Sequence, residues 1–412
     1  MLLSSRGHRV GGRVALGVVS ALVLGATGYL WTQLSRLDDG LVTADVIAPS
    51  ARVDNDDIPV GEPLKVAQNL LLVGIDARTD TYGNPLPQNV LDALHAGSGD
   101  DGGDTTDTII VVHIPAGGAA ATAISIPRDS YVDIDGGYGK HKINSAYSRG
   151  KNAAMAGLRA QGLSGAQLEV AANEAGAKTA IRTVEKFTGL TINHYAAINL
   201  AGFDALSQAV GGVEVCLKAP VHDTYSGANF PAGPQTLSGA QALAFVRQRH
   251  GLLNGDLDRI ARQQAFLSGM AKNVLSAGTF TDLSKLNALV GAVQGAVVLD
   301  KGWDVLSFAQ QLRGMTSGAI GFATIPVQSL SLPTPSDGDA VKVDPAQVQQ
   351  FVRTAISTPA VQASGDETDG GVKPVAATGT KTPPSGTSGT SGASNTSNAK
   401  QPATTTAAGC VN

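Results

Sequence analysis

Three short apolar runs constrain this chain most: Asn69–Ile75 (NLLLVGI), Thr108–Ile114 (TIIVVHI) and Ala121–Ile126 (ATAISI). Each is too short for a membrane span. Their near-continuous Val, Ile and Leu content reads as strands buried on both faces. Charge sits at one end of each. Asp76 follows the first run, Asp107 precedes the second, and Pro127-Arg128-Asp129 follow the third. If the second strand runs antiparallel to the first and third, Asp76, Asp107 and Arg128 share one rim of a sheet. Two carboxylates and a guanidinium on one rim suit a Mg²⁺ (or Mn²⁺) ion with a diphosphate, because hard oxygens hold the ion and the arginine takes the remaining charge. The alternative is local: Asp107 caps a turn and Arg128 pairs with Asp129.

A second concentration of charge lies in Phe245–Gln264 (FVRQRHGLLNGDLDRIARQQ), within a chain only 16% charged. The alternation in Leu243–Arg249 predicts a strand with Arg247 and Arg249 on one face. From Asp256 the period becomes helical, with Asp256, Arg259 and Gln263 on one polar stripe. Arg259 falls in the first turn, where the helix macrodipole disfavours a cation. A strand end with paired arginines leading into a helix N-terminus predicts a phosphate cradle. The competing reading is an exposed basic loop paired with Asp256 and Asp258.

The remaining segments alternate. Helices are expected from Asn144, over residues 165–188 with Gly189 as stop, over 200–210, 281–296 and 303–313, and over 346–356. Strands are expected at His194–Ile198, Gly212–Leu217 and Ile320–Val327. The fold class is therefore α/β, a three-layer α/β/α sandwich with a mixed central sheet. Residues 77–107 read as a long solvated loop whose acidic cluster lacks EF-hand spacing.

Arg6, Arg9 and Arg13 precede Val14–Trp31, eighteen residues without a charge. They predict a single transmembrane helix with residues 1–13 cytoplasmic and the rest of the chain outside; a cleaved signal peptide is the competing reading. Residues 32–66 read as an extracellular stalk, 67–357 as the catalytic domain, and 358–412 as a disordered Gly/Ser/Thr/Pro-rich tail. A net charge of −4 argues against general nucleic-acid binding. The two cysteines, Cys216 and Cys410, exclude a Cys-rich zinc site. Both would lie outside the membrane, where disulfides persist, so a Cys216–Cys410 pair tying the tail's end to the domain is expected; two separate thiols are the alternative.

In this order, NLLLVGIDAR, TDTIIVVHI, ISIPRDS, KINSAY, AGFDALSQAVGGVEV and FVRQRH with GDLDRIARQQ resemble the LytR–CpsA–Psr (LCP) family of cell-wall glycopolymer transferases. The resemblance covers roughly residues 68–275 and, more weakly, the chain to about 356. It implies a membrane-anchored, extracytoplasmic phosphotransferase. The donor would be a polyprenyl-diphosphate-linked glycopolymer and the acceptor peptidoglycan, at the C6 hydroxyl of N-acetylmuramic acid. It also implies Asp76 and Asp107 as Mg²⁺ ligands. Arg128, Arg247, Arg249, Asp256 and Arg259 would be catalytic; Arg128, Lys142, Arg247, Arg249, Arg259 and Gln263 would bind the diphosphate, and the lipid would lie in an apolar tunnel. Two other readings use the same residues: a polyprenyl-diphosphate pyrophosphatase, and a non-catalytic wall-polymer-binding membrane protein. The connection between Asp76 and Asp107 is longer than in compact family members, and no LytR C-terminal domain is apparent.

Overall fold

The computed structural model describes residues 41–53, 64–99, 103–275, 283–304, 308, 320–357 and 409–412. The expected membrane span, the cytoplasmic segment, nearly all of the 303–313 helix and most of the tail lie outside them.

In chain order the elements are β1 (Val42–Ala44), β2 (Gln68–Ile75), α1 (Gln88–Ala93), β3 (Thr106–Ile114), β4 (Ala121–Ser125), β5 (Tyr131–Ile134), β6 (Gly139–Lys142), α2 (Ser145–Ala160), α3 (Gly165–Thr188), β7 (His194–Asn199), α4 (Leu200–Ala209) and β8 (Val213–Leu217). There follow β9 (Val221–Asp223), β10 (Ala228–Phe230), β11 (Gly233–Leu237), α5 (Gly239–Arg247), α6 (Asp256–Leu275), α7 (Leu283–Ala296), β12 (Val297–Asp300), β13 (Ile320–Thr324), β14 (Ser329–Thr334), β15 (Gly338–Lys342) and α8 (Pro345–Ser357).

Seven strands form one mixed sheet in the order β1-β12-β7-β2-β3-β4-β13. β3 is antiparallel to both β2 and β4, in the register Leu72↔Ile110 and Val112↔Ala123. That is the arrangement the rim argument requires. β7 and β13 then add in parallel to β2 and β4, giving the sheet its mixed character.

Both faces of the sheet are covered, which accounts for the unbroken apolar runs. Leu71, Val73, Val111 and Ile124 point to one side, onto Ile181, Val184 and Phe187 of α3 and Val348 and Val352 of α8. Leu70, Ile110, Val112 and Ala123 point to the other, where Phe308, Phe322 and Leu267 of α6 pack. Beyond lies a second core built from β8, β11, α4, α5 and α6, with Phe245 and Phe266 fully buried. Helix α3 stops at Gly189, whose φ of 76° is the left-handed cap expected of that glycine.

Four expectations change. Leu243–Arg249 is not a strand: Leu243–Arg247 end α5, and Gln248 and Arg249 follow it. Ala242 to Val246 are all buried, so polarity does not mark a face, and the Ala/Gln/Leu-rich segment before Arg247 is a good helix former. β8 forms as expected but pairs with β11 in a two-stranded sheet outside the central one. Val42–Ala44, within the segment read as a stalk, is an edge strand beside β12. Within the 77–107 connection, α1 buries Leu91, and Leu94 and Ala96 follow it into the second core.

Residues 409–412, at the end of the expected disordered tail, lie against β8. Cys410 is disulfide-bonded to Cys216, and Val411 donates to the Cys216 carbonyl oxygen at 2.9 Å and accepts from Lys218 N–H at 2.9 Å. The side chain of Val411 is buried in the second core. The bond closes a loop of 194 residues. Its loss in Cys410→Ser should lower unfolding stability by about 2–5 kcal/mol. Guanidinium titrations of oxidised wild type and variant check this, and overlapping curves would count against any stabilising role.

Candidate active site at the sheet rim

The antiparallel order places the ends of β2 and β4 and the start of β3 together. Asp76 N–H donates to the Thr105 carbonyl oxygen at 2.9 Å, so the backbones bearing Asp76 and Asp107 are in contact. Arg128, from the turn after β4, reaches Asp107 at 2.6 Å and lies 3.7 Å from Asp129 and 3.8 Å from Asp256. The local alternative for Arg128 is thus also present, because the same guanidinium serves Asp129 and the rim.

The basic segment meets this rim from the far side of the sequence. The cradle is helix-to-helix, not strand-to-helix: Arg247 is the last residue of α5 and Arg259 lies in the first turn of α6. Asp258 fixes that turn by accepting from the backbone and side chain of Asn254, each at 3.0 Å. Arg259 is buried, pairs with Asp256, and donates to the Asp107 carbonyl oxygen at 3.4 Å. Arg247 donates to the carbonyl oxygens of Leu94 and His95 at 3.1 and 3.2 Å. Arg249 is exposed.

Beneath these groups a cavity of about 510 Å³ runs between the sheet and helices α4, α5 and α6. Asp76, Asp107, Arg128, Arg247, Arg249, Arg259 and Gln263 line its polar end. Its body is apolar, walled by Leu72, Ile110, Phe203, Leu243, Phe266 and Met270 among others. The structure therefore gathers seven of the residues singled out from the sequence around one opening. Asp256 stands behind the arginines as their shared partner. Lys142 is not on the cavity wall; it pairs with Asp129 at 3.3 Å.

The charges divide into two kinds of pair. Burial works against ionisation of Asp107, but Arg128, Arg259 and Arg249 outweigh it and hold the carboxyl below its usual range. Burial likewise opposes the charge on Arg128, yet Asp107, Asp129 and Asp256 raise its pKa. The Asp256–Arg259 pair goes the other way. Burial pushes the Asp256 carboxyl up despite Arg259 and Arg128, and pushes the Arg259 guanidinium down despite Asp256. Burial also lowers Arg247, with Arg78 adding to it. Cations held dry and beside other cations are relieved by a bound anion.

The Asp107 shift has a testable sign. A carboxyl whose folded pKa is depressed stabilises the fold above its unfolded pKa, and that contribution is lost as pH falls through the folded value. Wild type should therefore lose stability more steeply than Asp107→Asn on acidification below about pH 4. Urea midpoints measured across that range check it; parallel acid limbs would contradict it.

Two carboxylates fit a Mg²⁺ or Mn²⁺ ion. Both are hard oxygen donors on adjacent backbones, both line the cavity mouth, and such ions accept few protein ligands when a substrate diphosphate supplies others. Among the described residues no group of three or more His, Cys, Asp or Glu side chains could hold a metal by itself.

Two site neighbours escaped the sequence reading. Arg78 is buried and pairs with Asp76 at 2.6 Å, occupying that carboxylate as Arg128 occupies Asp107. The GIDAR run contained it, and its place two residues after Asp76, three past the strand end, was the available signal. Gln248, between the two arginines, is buried and bonds to Arg262 and to the His250 carbonyl oxygen. Arg262 is structural: fully buried, 5.2 Å over the Phe245 ring and bonded to the main-chain oxygen of Asn412. Burial pushes its guanidinium down to about 10, against Asp258 and Asp223.

Fold and site together define an α/β protein with an arginine-rich rim over an apolar cavity. Residues 48–355 match the LytR_cpsA_psr family, and the chain belongs to it. It is 43% identical over 358 residues to the cell wall biosynthesis protein LcpA of Corynebacterium glutamicum, covering 86% of this chain and 68% of that protein. It is 29% identical over 281 residues to the polyisoprenyl-teichoic acid–peptidoglycan teichoic acid transferase TagU of Bacillus cereus, covering 68% of this chain and 75% of that one. The crystal structure of TagV from B. subtilis shares the fold, with a TM-score of 0.51 at 24% identity over 71% of this chain and 98% of that one.

Proposed function

We propose that the chain is an extracytoplasmic phosphotransferase that joins a polyprenyl-diphosphate-linked glycopolymer to peptidoglycan, at the C6 hydroxyl of N-acetylmuramic acid, and releases polyprenyl phosphate. The observation that carries this reading is the continuity of the charged rim with the apolar cavity. The same opening offers six guanidinium or carboxylate groups, from the ends of β2 and β4, from β3, α5 and α6 and from the α5–α6 connection, and an apolar body behind them. An amphiphile with a diphosphate head and a long hydrocarbon tail matches both halves; a purely polar polymer matches only one.

In the proposed step, the acceptor hydroxyl oxygen attacks the phosphorus that bears the polymer, losing its proton to solvent, and the bond to the prenyl-side bridging oxygen breaks, that oxygen leaving as part of polyprenyl phosphate. Phosphoryl transfer depends chiefly on positioning and charge stabilisation. Arg128 and Arg259 take phosphate oxygens at the rim, with Asp256 holding the two guanidiniums toward each other. Arg247 and Arg249 close the mouth, Gln263 borders it, and Lys142 supports it through Asp129. A Mg²⁺ ion held by Asp76 and Asp107 would neutralise diphosphate charge, freeing Arg78 and Arg128 for the substrate. The catalytic domain would sit outside the membrane behind the 14–31 anchor, a placement supported by the Cys216–Cys410 disulfide.

The test is competition for the full-length chain in detergent micelles. A polyprenyl diphosphate should displace a fluorescent prenyl-diphosphate probe far better than either the polyprenol or inorganic diphosphate. Equal displacement by the polyprenol would remove the rim from the binding site, and equal displacement by inorganic diphosphate would remove the cavity.

A further inference from the structure

Five large apolar side chains are exposed among the described residues; of these, Leu253 shares the α5–α6 connection with Arg249, and Tyr225 lies in the β9–β10 turn against His250 of that connection. Tyr225 sits in the β9–β10 turn with 74% of its surface exposed; Leu253, between α5 and α6, is 90% exposed. The Tyr225 ring faces the imidazole of His250 at 4.2 Å between centroids, with the planes 32° apart.

This surface pair is held from below by a buried carboxylate. Asp223 accepts from Tyr225 N–H at 3.1 Å and from the Ser226 hydroxyl at 2.7 Å, and faces His250 Nδ1 at 3.7 Å. The turn also packs against His95, a partner of Arg247. Gly227 has φ 76°, and a Cβ there would fall 2.6 Å from the His95 ring, whose backbone oxygen accepts from Arg247. An exposed aromatic ring ordinarily retains rotamer freedom, so fixing one against His250, next in sequence to the cavity-lining Arg249, makes a rigid surface there.

We propose that Tyr225, His250 and Leu253 form the platform on which a pyranose ring of the acceptor glycan lies. This rests on the transferase reading above. The donor's lipid fills the cavity and its diphosphate takes the arginines, so the acceptor enters from solvent, where these side chains are. A face of aromatic, imidazole and aliphatic groups suits the C–H face and acetamido methyl of an N-acetylated sugar.

Tyr225→Ala and Leu253→Ser change exposed side chains and leave the buried Asp223 anchor in place. With the full chain, binding of a soluble peptidoglycan tetrasaccharide is measured by saturation-transfer NMR and titration calorimetry, and transfer kinetics are measured alongside. The expected result is an acceptor affinity about tenfold weaker and an acceptor KM raised to match, with kcat and donor KM unchanged. Tyr225→Phe should restore both. Unchanged tetrasaccharide binding in Tyr225→Ala overturns the platform while leaving the transferase reading intact. A rise in donor KM instead of acceptor KM overturns it in favour of the donor polymer. If wild type binds the tetrasaccharide through Tyr225 yet transfers nothing, the platform stands as a saccharide site and the transferase reading fails.

Discussion

Arg128→Ala should slow polymer transfer by about 10³–10⁵-fold, the range expected when a transition-state arginine is lost. Arg128 is the hub of the rim: it contacts Asp107 at 2.6 Å and lies within 4 Å of both Asp129 and Asp256. Its removal leaves carboxylates without their counter-charge and, on the proposed reading, takes away a phosphate ligand. Those two effects separate experimentally. Arg128→Lys keeps a charge but not the fork geometry, so it should hold the fold and recover only part of the rate. If Arg128→Lys is as active as wild type, the guanidinium has no geometric role. A stable, fully active Arg128→Ala would remove it from the mechanism altogether.

The second large effect concerns Asp107. Asp107→Asn should reduce transfer at fixed Mg²⁺ by about 100-fold, corresponding to about 2.7 kcal/mol of charge stabilisation at the diphosphate. The amide keeps the shape of the side chain and can still accept from the Thr105 hydroxyl, a 3.3 Å contact in wild type. What it loses is the anionic oxygen. The loss should therefore appear mainly as a higher Mg²⁺ or Mn²⁺ requirement, partly recovered at high metal concentration. An unchanged metal requirement would place any ion elsewhere. An active enzyme in excess chelator would remove the ion from the reaction.

How much of this was legible in the sequence follows from where the information lies. β2, β3 and β4 were readable because strands buried on both faces carry continuous apolar runs, and their charged ends mark the rim. The Gly189 stop was readable for a local reason, the left-handed conformation that glycine accepts. The α5 helix was not, since five consecutive buried residues erase the polarity that distinguishes period 3.6 from period 2. β1 is three residues in a polar setting, and only its partner β12 makes it a strand.

The site residues were readable singly; their roles were not. Arg259 meets the Asp107 carbonyl across 152 positions, and Arg262 meets Asn412 across 150. Local sequence makes the two arginines near-equivalents on one helix. Packing turns one toward the cavity and commits the other to Gln248 and residues 409–412.

The central claim is that the rim and cavity serve transfer of a lipid-linked polymer. Its most direct test incubates the full-length chain with a polyprenyl-diphosphate-linked glycopolymer, peptidoglycan and Mg²⁺. Mass spectrometry then follows muramidase digestion of the product. The account predicts a muramic acid 6-phosphodiester bearing polymer, formed with one polyprenyl phosphate per linkage and absent in Arg128→Ala. Release of phosphorylated polymer into solution with no linkage to muramic acid would make the protein a hydrolase and contradict it.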